Sequence, residues 1–281
     1  MKRALISSLV TAALVIAAAS LTPAVSKLST AQKETPATTA PAPKPSPRTT
    51  DGHPDLSGVW WRGGDVGGRG FNAGAPAAGR GGRGAAPPPS YTSLYQPWAQ
   101  EKLKKLGDKD DPTLRCVPTS FGTLNVSMFG VGAVAQIVQT PKLVVLLTET
   151  FHSFKLIPID GRAHRDDVPP AYRGDSVGHW EGDTLVVDTN NFSDVPWMFA
   201  EGRVSFHSDA LHIVERYHRT DANTLEIDAT VEDSKVLTGP WTVPKQTLVL
   251  APFDQIMELN CSGIETQSLM DAAAKENYGK K

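Results

Sequence analysis

Three sets of side chains in this 281-residue chain could carry chemistry: scattered histidines with carboxylates nearby, a charged run from Asp160 to Asp188, and two cysteines. General acid–base work needs a histidine and an orienting carboxylate within hydrogen-bond reach of each other. Glu215 with His164 or His207 is the candidate set. Arg162, Asp175, Trp180, Glu181 and Asp183 crowd a segment of short turns, and loops at one end of a rigid scaffold are where sites are commonly built. With Glu215 and Tyr217 they are the candidate ligand contacts. The spacing of His164, Asp166, Asp167 and Asp175 matches neither a zinc pattern nor a calcium loop, so no metal and no other cofactor is expected. Asp175-Ser176 and His207-Ser208 lack the G-x-S-x-G context of a nucleophilic serine.

The elements that position these residues read as strands. Asp55–Trp61 opens the series. Val134–Gln139, Leu143–Glu149 and Phe151–Ile159 follow, the last running into Asp160-Gly161, a pair that favours a primed hairpin turn. Ser176–Trp180, Thr184–Thr189, Leu211–Thr220, Thr224–Asp233, Trp241–Ala251 and Ile256–Asn260 complete nine or ten strands joined by short turns. Such a chain is mostly β, an antiparallel meander closing into a barrel or folding into a sandwich. One short helix is expected from Pro97, stopped by Gly107, with Trp98, Leu103 and Leu106 on one face, lying as a lid on the domain.

One hairpin yields its register. A three-residue loop Asp221-Ala222-Asn223, with Asn223 left-handed, pairs Thr220 with Thr224 and, counting outward, Tyr217 with Ile227, Glu215 with Ala229 and Ile213 with Val231. The opposite face then pairs His218 with Glu226, Arg216 with Asp228 and His212 with Glu232. One face is apolar and the other a ladder of opposite charges, the agreement that cross-strand pairing favours. Glu215 is the exception, a carboxylate on the apolar face. It is either the partner of an inward cation or a polar anchor in a cavity. His212 and Glu215 point to opposite faces and cannot cooperate.

The amino terminus has the order of a secretory signal: Lys2 and Arg3, an apolar run from Ala4 to about Leu21, and the small-residue triplet Ala24-Val25-Ser26. Serines and a threonine interrupt the run, which favours cleavage at about residue 26 over retention as a membrane anchor. Residues 27–53 are dominated by Pro, Thr, Ala and Ser and are expected to be a disordered tether. The domain is placed at 54–265, with a Gly-rich insert at 62–89 and a polar tail at 266–281. That insert contains G-x-G-x-x-G without the strand and helix a phosphate cradle needs, and is expected to be a flexible loop. In a periplasmic or secreted protein, Cys116 and Cys261 are most simply one disulfide; two free thiols or a nucleophilic cysteine are the alternatives. A formal charge of −2 argues against nucleic-acid binding, and after cleavage no membrane partner is expected.

Two resemblances add to this reading. Gly58-x-Trp60 on the first strand resembles the G-x-W of lipocalins and other calycin barrels, which implies a tryptophan closing the barrel base against an arginine from a late strand; Trp241–Ala251 offers only Lys245 and Gln246. Longer strings resemble an uncharacterised family of exported bacterial proteins: Pro54-Asp55-Leu56-Ser57-Gly58-Val59-Trp60, Asp160-Gly161-Arg162-x-His164, Gly174–Thr189 (GDSVGHWEGDTLVVDT) and His207-Ser208-x-x-Leu211-His212-x-x-Glu215-Arg216-Tyr217. That resemblance spans Asp55 to about Cys261 and supplies no activity. It implies C-x-P-x-G and C-x-E-x-N around the cysteines, where this chain has Cys116-Val117-Pro118-Thr119-Ser120 and Cys261-Ser262-Gly263-Ile264-Glu265. The expected function is binding of a small, partly apolar molecule in the cavity of the barrel or sandwich. The alternative is an extracytoplasmic isomerase- or hydrolase-type enzyme using Glu215 with His164 or His207.

Overall fold

Alternating apolar residues and short turns give nine strands in the computed structural model, which describes residues 44–62, 89–121, 134–149, 153–199, 204–258 and 261. The expected signal segment, the expected tether up to residue 43, residues 63–88 of the expected insert, Phe151 at the start of one expected strand, and the expected tail from residue 266 lie outside the described residues. The strands are β1 (Gly58–Trp61), β2 (Val134–Gln139), β3 (Leu143–Thr148), β4 (Phe154–Pro158), β5 (Asp175–Glu181), β6 (Thr184–Asn190), β7 (Leu211–Arg219), β8 (Thr224–Asp233) and β9 (Trp241–Leu250). Their order in the sheet is β4-β3-β2-β1-β9-β8-β7-β6-β5, every pair antiparallel. The sheet curls into a nearly closed barrel. Ile256–Glu258, expected to start a last strand, lie outside any strand.

The seam of the barrel follows from parity. Alternation around an odd number of strands leaves β4 and β5 running the same way, so no hairpin can join them and a long crossover is needed. Asp160-Gly161 therefore does not turn back into β5. It opens the connection over residues 159–174 instead. The seam closes through side chains: Gly178 on β5 faces inward, and a Cβ there would lie 2.8 Å from Ile157 Cγ2 on β4. Only the missing side chain lets the two strands approach so closely.

At the other joint, β1 meets β9 through Trp60↔Leu250 and Trp61↔Val249. Gly58 has φ +137° and a Cβ there would strike Leu250 Cδ1 at 2.7 Å, so this strand start needs glycine. Trp60 is fully buried, its indole donating to the Leu56 carbonyl at 2.9 Å. The arginine over its ring is Arg219 of β7, 4.9 Å from the ring centroid, and not a residue of β9. Arg219 also donates to the Asp55 and Ala222 carbonyls, tying the barrel base to the chain that enters it.

Two apolar clusters form among the described residues. One holds Trp60, Ile137, Leu146, Leu185, Val187, Tyr217 and Ile227 inside the barrel. The other gathers Tyr91, Tyr95, Ala99, Phe192, Phe206, Ile213, Val231 and Trp241 at the opposite end, under the helix α1 (Pro97–Leu103). Pro97 occupies the first turn, and the helix does cover this end. Its buried residue is Ala99, with Leu103 and Leu106 partly buried; Trp98 is 48 % exposed on the rim, donating to the Lys235 carbonyl at 3.0 Å. At 3.6 residues per turn Trp98 lies about 100° around the helix from Ala99, beside the stripe that Ala99 and Leu103 bury rather than in it.

The β7–β8 register is the one the charge pattern indicates, from His212↔Glu232 through Glu215↔Ala229 to Arg219↔Leu225. Its turn differs in mechanism. Positive φ occurs at Cys116 and Asn191, not at Asn223. Asp221 Oδ1 accepts the Asn223 N–H at 2.7 Å and supplies the bend. Cys116 and Cys261 form a disulfide with a Cα–Cα distance of 5.7 Å. No helix among the described residues is long and apolar enough to cross a membrane.

Residues 44–53, assigned to the tether by composition, are bonded to the domain. Arg48 pairs with Asp183 in the β5–β6 turn, with Nη2 2.6 Å from Oδ2. His53 stacks on Trp180 at 4.5 Å, and the Lys44 carbonyl accepts from Ala222 N at 2.9 Å. Polar side chains and backbone, rather than apolar burial, hold this strap.

Candidate functional site

Period-two alternation sends Ile213, Glu215 and Tyr217 of β7 into the barrel. Ile213 belongs to one apolar cluster and Tyr217 to the other, so Glu215 sits at the level between them. It is 2 % exposed. Lys155, inward on β4 beside Ile157, donates to Glu215 Oε2 at 2.7 Å across the seam, and both side chains are buried. Tyr217 Oη donates to Glu215 Oε1 at 2.8 Å. Lys155 Nζ also reaches Thr189 Oγ1 of β6 at 3.4 Å, and that hydroxyl pairs with Ser176 Oγ of β5 at 2.9 Å. A polar layer thus crosses the barrel between two apolar ones. Burial pulls the Lys155 ammonium below its usual range; Glu215 opposes this, and a second cation, Arg173, adds to it.

Arg173 reaches the layer because of its neighbour. Gly174 has φ +69°, and a Cβ there would lie 2.5 Å from the Asn190 carbonyl, so the crossover presses against the end of β6 where only glycine fits. The Arg173 side chain is buried, with burial lowering its pKa against the pull of Glu215 and Tyr217. Nη1 donates to the Thr119 carbonyl at 3.3 Å. Nε and Nη2 are buried and have no hydrogen-bond partner among the described residues.

The outer wall of the same strands carries a second polar chain. His164 Nδ1 lies 3.1 Å from Asp175 Oδ2 and its Nε2 lies 2.8 Å from Asp188 Oδ1. The other Asp188 oxygen is 3.0 Å from His212 Nε2, and His212 Nδ1 is 3.4 Å from Glu232. Arg165 Nε donates to Asp175 at 2.7 Å. Partial burial disfavours the His212 cation, but hydrogen bonds to Asp188 and Glu232 outweigh it and raise the pKa. Asp188 is shifted down by the two histidines, again against its own desolvation.

The expected ligand contacts are therefore divided. Glu215 and Tyr217 come together inside the barrel, and Trp180, inward on β5, packs against the same apolar cluster as Tyr217. Asp175 faces outward to His164 and Arg165, and Glu181 outward to Arg216 and His179. Asp183 anchors Arg48, Trp180 stacks on His53, and Arg162 is bonded to Asp160 at 2.8 Å in an exposed loop. Their clustering in sequence came from a hairpin and a crossover whose side chains alternate between the faces of one wall. The acid–base pairing also separates: His164 sits on the outer wall and Glu215 inside. His207 lies in the chain before β7, buried against Phe192, with Nδ1 2.8 Å from the Ser208 carbonyl and Nε2 without a hydrogen-bond partner among the described residues.

The residues that sequence reasoning missed are Lys155 and Arg173. Alternation could have found Lys155, since it shares a face with Ile157 in Phe154-Lys155-Leu156-Ile157. Arg173 lies in a crossover with no periodicity, and no local signal marks it. An open groove of about 650 Å³ lies elsewhere, between Gln96 and Pro97 of the helix start and residues 232–234 and 237–240. Among the described residues no group of three or more His, Cys, Asp or Glu side chains could hold a metal ion. Compared with known proteins, the chain matches no family model, no curated protein and no solved structure.

Proposed function

We propose that this protein is exported and binds a small, partly apolar molecule inside its β-barrel, at the layer formed by Lys155, Arg173, Glu215 and Tyr217. The observation that carries this is a buried polar layer set between two apolar clusters. Well-packed apolar side chains in place of a buried ion pair are often neutral or stabilising, so the fold by itself has little need of such a layer. Local departures of this kind are expected where a chain serves function rather than stability. The disulfide accords with an oxidising, extracytoplasmic compartment, and the arginine over Trp60 with a calycin-like barrel base. Native mass spectrometry of protein purified from its own host tests the reading. We expect an added small-molecule mass that is lost in Glu215→Gln while circular dichroism keeps its β signature. An added mass that Glu215→Gln retains counts against this layer.

The second reading is an isomerase- or hydrolase-type enzyme with Glu215 as acid or base. The observation favouring it is Lys155, whose buried amine is easier to deprotonate than a free lysine and lies within hydrogen-bond reach of Glu215. It would replace His164 or His207 as the partner. Turnover in a substrate screen, abolished by both Glu215→Gln and Lys155→Met, would select catalysis over binding.

A further inference from the structure

Arg173 is a buried cation left half-bonded. The guanidinium is planar and its donors are fixed in a fork, so the identity of the free nitrogens is informative. Nη1 is occupied by the Thr119 carbonyl, while Nε and Nη2, which have no partner among the described residues, lie along one edge of the plane. That edge presents two parallel N–H groups, the arrangement that takes both oxygens of a carboxylate side-on. Unpaired buried donors are rare in folded proteins, and each calls for an explanation such as an absent partner.

The surroundings narrow the partner's charge. Glu215, the nearby carboxylate, is already engaged by Lys155 and Tyr217. Arg173 and Lys155 repel one another across this layer, and burial disfavours both cations. A neutral hydrogen-bond acceptor would satisfy the donors but leave that repulsion standing. An anion with two coplanar oxygens satisfies both.

We infer that the ligand carries a carboxylate, held side-on by Nε and Nη2 of Arg173 within the interior polar layer. Gly174 is the positioning residue, since its left-handed turn and missing Cβ bring Arg173 to this place. The inference rests on the interior-binding reading above and names the chemical class of what is bound.

The test compares acids with neutral amides of the same shape. The full exported protein is titrated with benzoate against benzamide and with octanoate against octanamide, following tryptophan fluorescence and melting temperature. The molecule released from host-purified protein on denaturation is examined for a carboxyl group by methylation and mass analysis. We expect at least one acid to bind about tenfold or more tightly than its amide, the scale of a lost hydrogen bond to a charged group. The released molecule should take up a methyl ester. Arg173→Lys, which keeps the charge and loses the fork, should remove the preference for acid, and Glu226→Gln on the outer wall should retain it. If Arg173→Lys does not fold, the acid-to-amide ratio in the unsubstituted protein decides alone. Amides binding as well as acids, or a released molecule without an acidic group, would overturn the carboxylate while leaving interior binding in place. No released molecule and no response to any of the four probes would overturn both.

Discussion

Asp188 and Glu215 are carboxylates on adjacent strands, one position apart in register: Val187 pairs with Glu215, and Asp188 with Val214. They face opposite sides of the wall. Glu215 is sealed inside with Lys155, whereas Asp188 stands outside between His164 and His212 with its side chain 37 % exposed. Similar geometry produces different energetics. Inside, each charge has lost its water and depends on its partner, so removing one leaves the other stranded. Outside, water replaces whatever is lost, and a salt bridge there contributes little. The two sides of one strand pair therefore separate a place where electrostatics constrains the fold from a place where it only decorates it.

The largest effect should come from Lys155→Met. It leaves Glu215 buried opposite an apolar side chain, and we expect a loss of about 3–5 kcal/mol in a denaturant melt. A loss below about 1 kcal/mol would mean that water reaches the layer, and the contrast between inside and outside would fail. On the outer wall the expected effects are smaller and depend on pH. His212 has a raised folded pKa, so its contribution is fully present below its ordinary value of 6.5 and fades as pH rises through the raised one. Asp188 has a lowered folded pKa; its contribution is present above its ordinary 3.8 and fades as pH falls through the lowered one. The ladder should thus contribute most between about pH 4 and 6.5. Discounted for exposure, its loss in Asp188→Asn should flatten the stability–pH curve by less than about 1 kcal/mol. A larger change would place Asp188 with the buried groups. The smallest effect should come from Glu226→Gln, whose partner Lys245 is half exposed; stability should stay within about 0.5 kcal/mol of the unsubstituted protein. Damage from this substitution and not from Lys155→Met would place the polar requirement on the wrong face.

Side-chain alternation and turn residues, both local properties, carried the strand series, the face assignment of the β7–β8 hairpin and the inward position of Glu215. The disulfide was legible because only two cysteines are present and their pairing needs no choice among partners. Local patterns of this kind reach only the neighbours along the chain and across a short turn. That Lys155 of β4 meets Glu215 of β7 was decided by the closing of the barrel, because strand number and direction set which edges meet, and no residue near either one encodes that. The placing of Arg173 is likewise tertiary: it depends on a crossover forced by the parity of the strands and on Gly174 fitting under the Asn190 carbonyl. The division of the Asp160–Asp188 charges has the same origin. Adjacent residues of a strand point to opposite sides of a wall, and only the closed wall made one of those sides an interior.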